Sequence, residues 1–147
     1  ILNRIDQGNI PEGVPSELID KLRYNLGLAY IKQGQVNLSL DIFNHLAGQG
    51  SDPAAQVNWL FQIGQAYEEA GELLKAQEVY VKVIKLYPDS SSADYAQYQL
   101  GSVQLKRLDY DQAITSFKLM LKKYPQSKLY SDATYALGQA YFQQADY

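Results

Sequence analysis

Cysteine is absent from the 147 residues, which excludes a disulfide framework, a thiolate metal site and a cysteine nucleophile in any compartment. Histidine, tryptophan and methionine occur once each. The lone His45 has no second imidazole or thiolate to complete a metal set and no serine elbow beside it, so it reads as a surface or packing residue. No stretch approaches the roughly 18 apolar residues of a membrane span, and direct membrane insertion is not expected of this segment. Charge of one sign is also lacking: 13 basic against 16 acidic residues leave a net charge of −3, too balanced for a nucleic-acid surface. No metal, cofactor or nucleic acid is implied.

What the chain has is repetition. The septets YNLGLAY, FQIGQAY, YQLGSVQ and YALGQAY place glycine at 27, 64, 101 and 138, at a constant interval of 37 residues. A period in this range signals stacked supersecondary units. Leu26, Ile63, Leu100 and Leu137 precede the glycines, and Tyr30, Tyr67, Gln104 and Tyr141 follow three later. An apolar residue and an aromatic four apart share one helical face.

A second stripe at three- and four-residue steps completes each unit: Ser39, Phe43, Leu46 and Ala47; Ala76, Tyr80, Val83 and Ile84; Ala113, Phe117, Met120 and Leu121. Pro88 and Pro125 mark the ends of second helices, because a proline ring cannot continue the hydrogen-bond ladder. Pro53 falls two residues late in that register, which implies a longer first inter-repeat turn. Between the helices of a unit stand Gly34, Gly71, Leu108 and Ala145. Glycine closes a helix in the left-handed region without steric cost, so the turns at Leu108 and Ala145 are expected to close differently or with strain. Ser16 and the segment DSSSAD at 89–94 are read as helix caps. Expected helix pairs are 16–33/36–49, 53–70/73–87 and 91–107/110–124, followed by an unpaired helix from 128. Residues 1–15 read as a linker, their first ten ending an earlier element at Gly8, and 16–147 as the array of three complete units and the first helix of a fourth. The start at Ile1 and the end inside the pattern imply a piece of a longer protein.

Glycine in a helix interior costs about 1 kcal/mol relative to alanine. Close approach of the partner helix, with Ala76 or Ala113 facing the same contact, is the simplest compensation.

With these positions set out, the sequence resembles the tetratricopeptide repeat, a helix–turn–helix unit. Ile63-Gly64, Tyr67, Gly71, Ala76, Tyr80 and Pro88 carry the likeness most fully, and it extends over about residues 20–147. Trp59 stands one residue before the family's tryptophan position, Ser39 and Gln104 replace its alanine and tyrosine, and the period exceeds its usual one in the turn after the proline. The similar Sel-one-like repeat has an inserted glycine-rich turn that is missing here. The segments YPDSSSADYAQYQLG and YPQSKLYSDATYALG also resemble the Tyr-Pro-x-Ser form of bacterial envelope proteins, of the Tol-Pal coordinator and barrel-assembly lipoprotein types, which implies a periplasmic or envelope-associated parent.

The resemblance implies an all-α, right-handed α-solenoid whose inner, concave face carries Tyr24, Leu28, Ile31, Phe61, Gln65, Glu68, Tyr98, Ser102, Leu105, Tyr135, Gln139 and Phe142. Tyrosine offers a large contact area at small entropy cost, so one reading is a non-catalytic scaffold that binds a protein or peptide segment in this groove. The other is that the rings pack adjacent units in a structural spacer or homotypic assembly module without a groove ligand. Repeats cannot bury their apolar faces alone, so self-association through the repeat ends is a further expectation. The family's carboxylate clamp for chaperone tails would need basic residues and an asparagine where Tyr24, Leu28, Tyr95 and Gln99 stand. Lys106, Arg107, Lys118, Lys122, Lys123 and Lys128 bias the third unit positive; lysines late in a helix complement its negative end, and the functional alternative is an acidic peptide. Neighbouring Glu68 and Glu69 point about 100° apart on a helix and read as a solvated face. No nucleophile–base pair marks an enzyme.

Overall fold

The computed structural model describes residues 13–48, 53–90 and 92–145. Among them are seven helices and no strand: α1 (Ser16–Lys32), α2 (Val36–Ala47), α3 (Pro53–Glu69), α4 (Leu73–Leu86), α5 (Ala93–Lys106), α6 (Tyr110–Lys123) and α7 (Tyr130–Ala145). They fall into two compact units, α1–α3 and α4–α7. The expectations for residues 1–10 and for the side chain of Ala47 lie outside what is described.

In the first unit α2 packs against both α1 and α3, and α1 touches α3. The stripe on α2 explains why: Ser39, Phe43 and Leu46 are completely buried. Phe43 projects onto the backbone of α1 at Gly27, where an added Cβ would lie 2.6 Å from the ring. In the second unit each helix packs on the next, and α5 also touches α7. Phe117 repeats the device against Gly101, where a Cβ would lie 2.7 Å from the ring. Gly27 and Gly101 are therefore notches for an aromatic ring. Ala113, expected to face the same contact, is completely buried one turn before that ring.

The turns within hairpins use one geometry. Gly34 and Gly71 have φ of 70° and 74°. Leu108 adopts φ 65° at the same place, so of the two expected outcomes this turn shows strain rather than a different closure. The hydrogen bonds agree: Gly34 N–H donates to Ile31 and Gln35 N–H to Tyr30, and Leu108 and Asp109 repeat the pair with Leu105 and Gln104.

Turns after second helices are also copied. Ser90 N–H donates to the Tyr87 carbonyl at 3.1 Å, and Ser127 N–H to that of Tyr124 at 3.0 Å. Tyr124 Oη donates back to the Pro88 carbonyl at 3.3 Å and ties the two turns together. Pro53 is the first residue of α3, where the expected helix 53–70 begins, a position where its missing N–H costs nothing. The turn before it, expected to be longer, falls on residues 49–52, outside those described. One expectation fails here. Ser16 is not a cap but the first helical residue, and the Pro15 carbonyl receives the N–H groups of Leu18 and Ile19. Ser92 occupies the cap of α5 without a side-chain bond to it.

Leu108 is 56% exposed, so its side chain contributes little to offset a left-handed backbone that costs about 1–2 kcal/mol. Against glycine's larger unfolded-state entropy, about 0.4–1 kcal/mol, Leu108→Gly should raise unfolding stability in urea by roughly 0.5–1 kcal/mol, whereas Leu108→Ala should bring no gain. Gly101→Ala should cost about 1–3 kcal/mol by overpacking. Gly138→Ala, with nothing within 4 Å of the new Cβ, should instead add about 1 kcal/mol.

Candidate functional site

The residues of the expected inner face sit on first helices of the repeats. In the first unit Tyr24, Leu28 and Ile31 of α1 are half-buried, as are Gln65 and Glu68 of α3, whereas Phe61 is only 7% exposed. In the second unit Tyr98, Ser102 and Leu105 of α5 are half-buried, and Tyr135, Gln139 and Phe142 of α7 are exposed. Tyr24 meets Phe43 edge to face with centroids 5.9 Å apart. Tyr98 lies over Phe117 at the same separation, tilted by 56°. Both tyrosines thus have one side seated on the ring that fills the glycine notch and another side open. Leu105 and Tyr98 also lean on the core made by Phe117, Met120, Ala133 and Ala136. Ser102 Oγ is turned inward, donating to the Tyr98 carbonyl at 3.1 Å.

A cavity of about 630 Å³ opens between α1 and α3, lined by Glu17, Asp20, Lys21, Tyr24 and Asn25 on one side and Asn58 and Trp59 on the other. Lys21 Nζ donates to Glu17 at 2.9 Å, and this bond, reinforced by the lysine charge, holds the Glu17 carboxyl below its ordinary range. Asp20 lies 3.8 Å from Arg23. Trp59 is buried. Of the anticipated residues only Tyr24 lines this space. The others continue its face one and two turns toward the helix start, a signal available from helical spacing alone.

The cavity has a local cause. Two periods beyond Asp20 stands Asp94, whose Oδ2 accepts the Ser127 hydroxyl at 2.5 Å, while Ser127 Oγ itself accepts the Leu129 N–H at 3.1 Å. Two periods before Ser127 stands Pro53, which has no hydroxyl to offer. The joint that a serine closes between α5 and α7 is left open between α1 and α3.

Gln104, where the other copies have tyrosine, also finds its reason. Its Oε1 accepts the Ser116 hydroxyl at 2.6 Å, and Gln97 Nε2 donates to the Ser116 carbonyl at 3.2 Å. This buried set was not foreseen, since glutamine spacing alone does not announce a partner on another helix. Two lysines of the basic third unit lie over rings, Lys118 at 5.2 Å from the Tyr141 centroid and Lys123 at 5.2 Å from that of Tyr124. His45 is exposed on α2. No group of three or more histidine, aspartate or glutamate residues able to hold a metal occurs among the described residues.

The tetratricopeptide repeat family model matches residues 60–90 and 95–127, each the later part of a first helix, a second helix and the following turn. The fold is that of a tetratricopeptide helical repeat. The apo form of RapI is similar over 98% of this chain and 56% of its own, with TM-score 0.79 and 14% identity. MamA from Desulfovibrio magneticus RS-1, from residue 41 to its end, is similar over 85% of this chain and 66% of its own, with TM-score 0.67 and 28% identity. A Podosopora anserina kinesin light chain with nearly identical TPR-like repeats gives TM-score 0.70 at 13% identity, over 85% of this chain and 66% of that one. The chain thus spans between about half and two thirds of these structures. No curated protein sequence matches it. No helix among the described residues is long and apolar enough to cross a membrane.

The two open-sided tyrosines of α5 and α7 differ in what their rings touch, and truncation should separate them. Tyr98→Ala should cost about 1–3 kcal/mol through loss of the contact with Phe117. Tyr135→Ala, at a ring 70% exposed, should change stability by less than about 0.5 kcal/mol. Urea unfolding of the two variants checks both values.

Proposed function

We propose that this tetratricopeptide array is a non-catalytic scaffold that captures a segment of another protein along its first helices, with the space between α1 and α3 as the principal contact. The single observation that carries the reading is that cavity: the aromatic rings of Tyr24 and Trp59, carboxylates from Glu17 and Asp20 and amides from Asn25 and Asn58 line it. Such a mixture suits a polypeptide, whose apolar side chain can rest on the rings while its N–H groups meet the carboxylates and amides. An enclosed reaction site is not needed for that task, and the repeat family is one of protein binders.

The burial of Phe61 and the seating of Tyr24 and Tyr98 on phenylalanine favour a second reading, in which the aromatic rank is packing and the array a spacer. An envelope location is supported only by the two Tyr-Pro-x-Ser turns, and the similar structures lend it nothing.

A photo-crosslinking side chain at Asn25 separates the readings. A scaffold should yield a discrete protein adduct in source cells that is lost, by roughly tenfold or more, when exposed Asn58 is changed to Arg, with the unfolding midpoint unaltered. A spacer should yield no adduct, or one indifferent to Asn58→Arg and matched by a crosslinker at exposed Leu119.

A further inference from the structure

The last turns of α4 and α6 carry charge that the fold does not use. Of the basic residues in the second unit, Arg107 is engaged internally, donating to Gln77 and lying 3.1 Å from Asp109. Lys82 and Lys85 on α4 and Lys122 on α6 are exposed, and among the described residues none of them has an ion-pair partner. Lys123 lies over the Tyr124 ring at 5.2 Å, a contact that places its ammonium group without neutralising it. The nearest carboxylates along α4 are Glu78, one turn before Lys82, and Asp89, beyond the helix end, and neither pairs with a lysine. α6 has none after Asp111. The bond from Tyr124 to the Pro88 carbonyl brings the two helix ends to one edge of the second unit. Leu86, four after Lys82, is 56% exposed there, and Leu119, three before Lys122, is 47% exposed. Lysine in a last turn complements the negative end of a helix, which accounts for Lys85, Lys122 and Lys123. It accounts neither for Lys82, a turn earlier, nor for leucines left in water on the same helix faces.

We infer that this edge docks an acidic segment of a partner polypeptide, one in which leucine-like side chains interrupt the carboxylates. Rings and leucines decide between the possible polyanions. A nucleic acid strand needs aromatic faces on which its bases stack, and here the half-buried Tyr124 ring lies under Lys123 while its hydroxyl is held by Pro88. An anionic bilayer is entered by projecting apolar side chains, with tryptophan and tyrosine at the headgroups. Leu86 and Leu119 are half-seated instead, and the chain's one tryptophan is buried on α3. An acidic polypeptide meets both features: its carboxylates pair with the ammonium groups and its aliphatic side chains lie on the leucines. α6 is flanked by α5 and α7, and α4 by α5, so this edge is what stays exposed after the repeats have packed. It belongs to second helices of the second unit and does not depend on the cavity between α1 and α3. An adduct formed through Leu119 is accordingly lost with Lys85→Gln/Lys122→Gln and indifferent to Asn58→Arg, which keeps it apart from one formed at Asn25.

The probe is a fluorescein-labelled peptide of about 16 residues, long enough even as a helix to reach across both helix ends, with leucine at every third or fourth place and glutamate elsewhere. Titrated with the 147-residue chain, it should show saturable one-to-one binding by anisotropy that weakens as salt is raised. Lys85→Gln/Lys122→Gln in the chain should weaken it by roughly fivefold or more, with the unfolding midpoint unaltered. The same loss of charge at exposed Lys32 and Lys106 should change it by less than about twofold. Leu119→Ser in the chain, and serine for leucine in the peptide, should each weaken it as well. Absence of saturation at millimolar chain overturns the proposal. So does equal weakening by the two double variants, which would reflect net charge alone, or equal binding of the serine peptide, which would reflect a bare polyanion. Tighter binding to phosphatidylserine vesicles or to an oligothymidine, lost with Lys85→Gln/Lys122→Gln, would assign the edge to lipid or nucleic acid and overturn it equally.

Discussion

Everything in this molecule turns on a phenyl ring pressed against a helix backbone at a point where no Cβ intervenes. Phe43 on Gly27 and Phe117 on Gly101 bring two helices closer than any side-chain-to-side-chain contact would allow. The loss of helix propensity at each glycine, about 1 kcal/mol, is outweighed by burial of an entire aromatic side chain, worth about 1.5–3 kcal/mol. The tyrosine one turn earlier then closes over the ring's edge. Hairpin geometry follows from this contact, and so does the half-exposed state of the tyrosines that remain available to other molecules.

Turns and joints are subordinate to that lock and tolerate variation around it. Leu108 is held in a left-handed backbone because the helices on either side are already placed by Phe117 and Gly101. Strain of this kind persists only where the surroundings over-determine it. Between repeats the bond from Tyr124 to Pro88 and that from Ser127 to Asp94 secure the second unit, while the proline that replaces serine in the first leaves a polar, aromatic-walled space. Sequence drift in a joint, with the lock intact, thus produces a recess without costing the fold.

Helix positions were legible from periodicity to within two or three residues, because a strict interval, glycine turns and two prolines reinforce one another. A misreading arose where one residue type serves two purposes: Ser16 is as suited to the first turn of a helix as to its cap. Gly27 and Gly101 were rightly read as sites of close approach, but which residue approaches depends on the crossing of two helices and not on spacing within either. Phe61 and Tyr135 occupy equivalent places in the period yet differ from nearly buried to mostly exposed, a contrast that only three-dimensional neighbours create. The recess between α1 and α3 was hidden for the same reason, although its α1 wall continues the face of Tyr24.

The buried set formed by Gln97, Ser116 and Gln104 gives one hairpin an identity that the aromatic locks do not. Those locks are interchangeable in shape, so an array built from them alone could fold with its hairpins exchanged, a hazard common to repeat proteins. Ile42 stands on α2 where Ser116 stands on α6. Were α2 to settle on α5, two sequestered amides would face a hydrocarbon branch, each deficit amounting to about 1–3 kcal/mol. A handful of hydrogen-bonding atoms therefore acts as an address label, steering each hairpin toward its proper mate during folding.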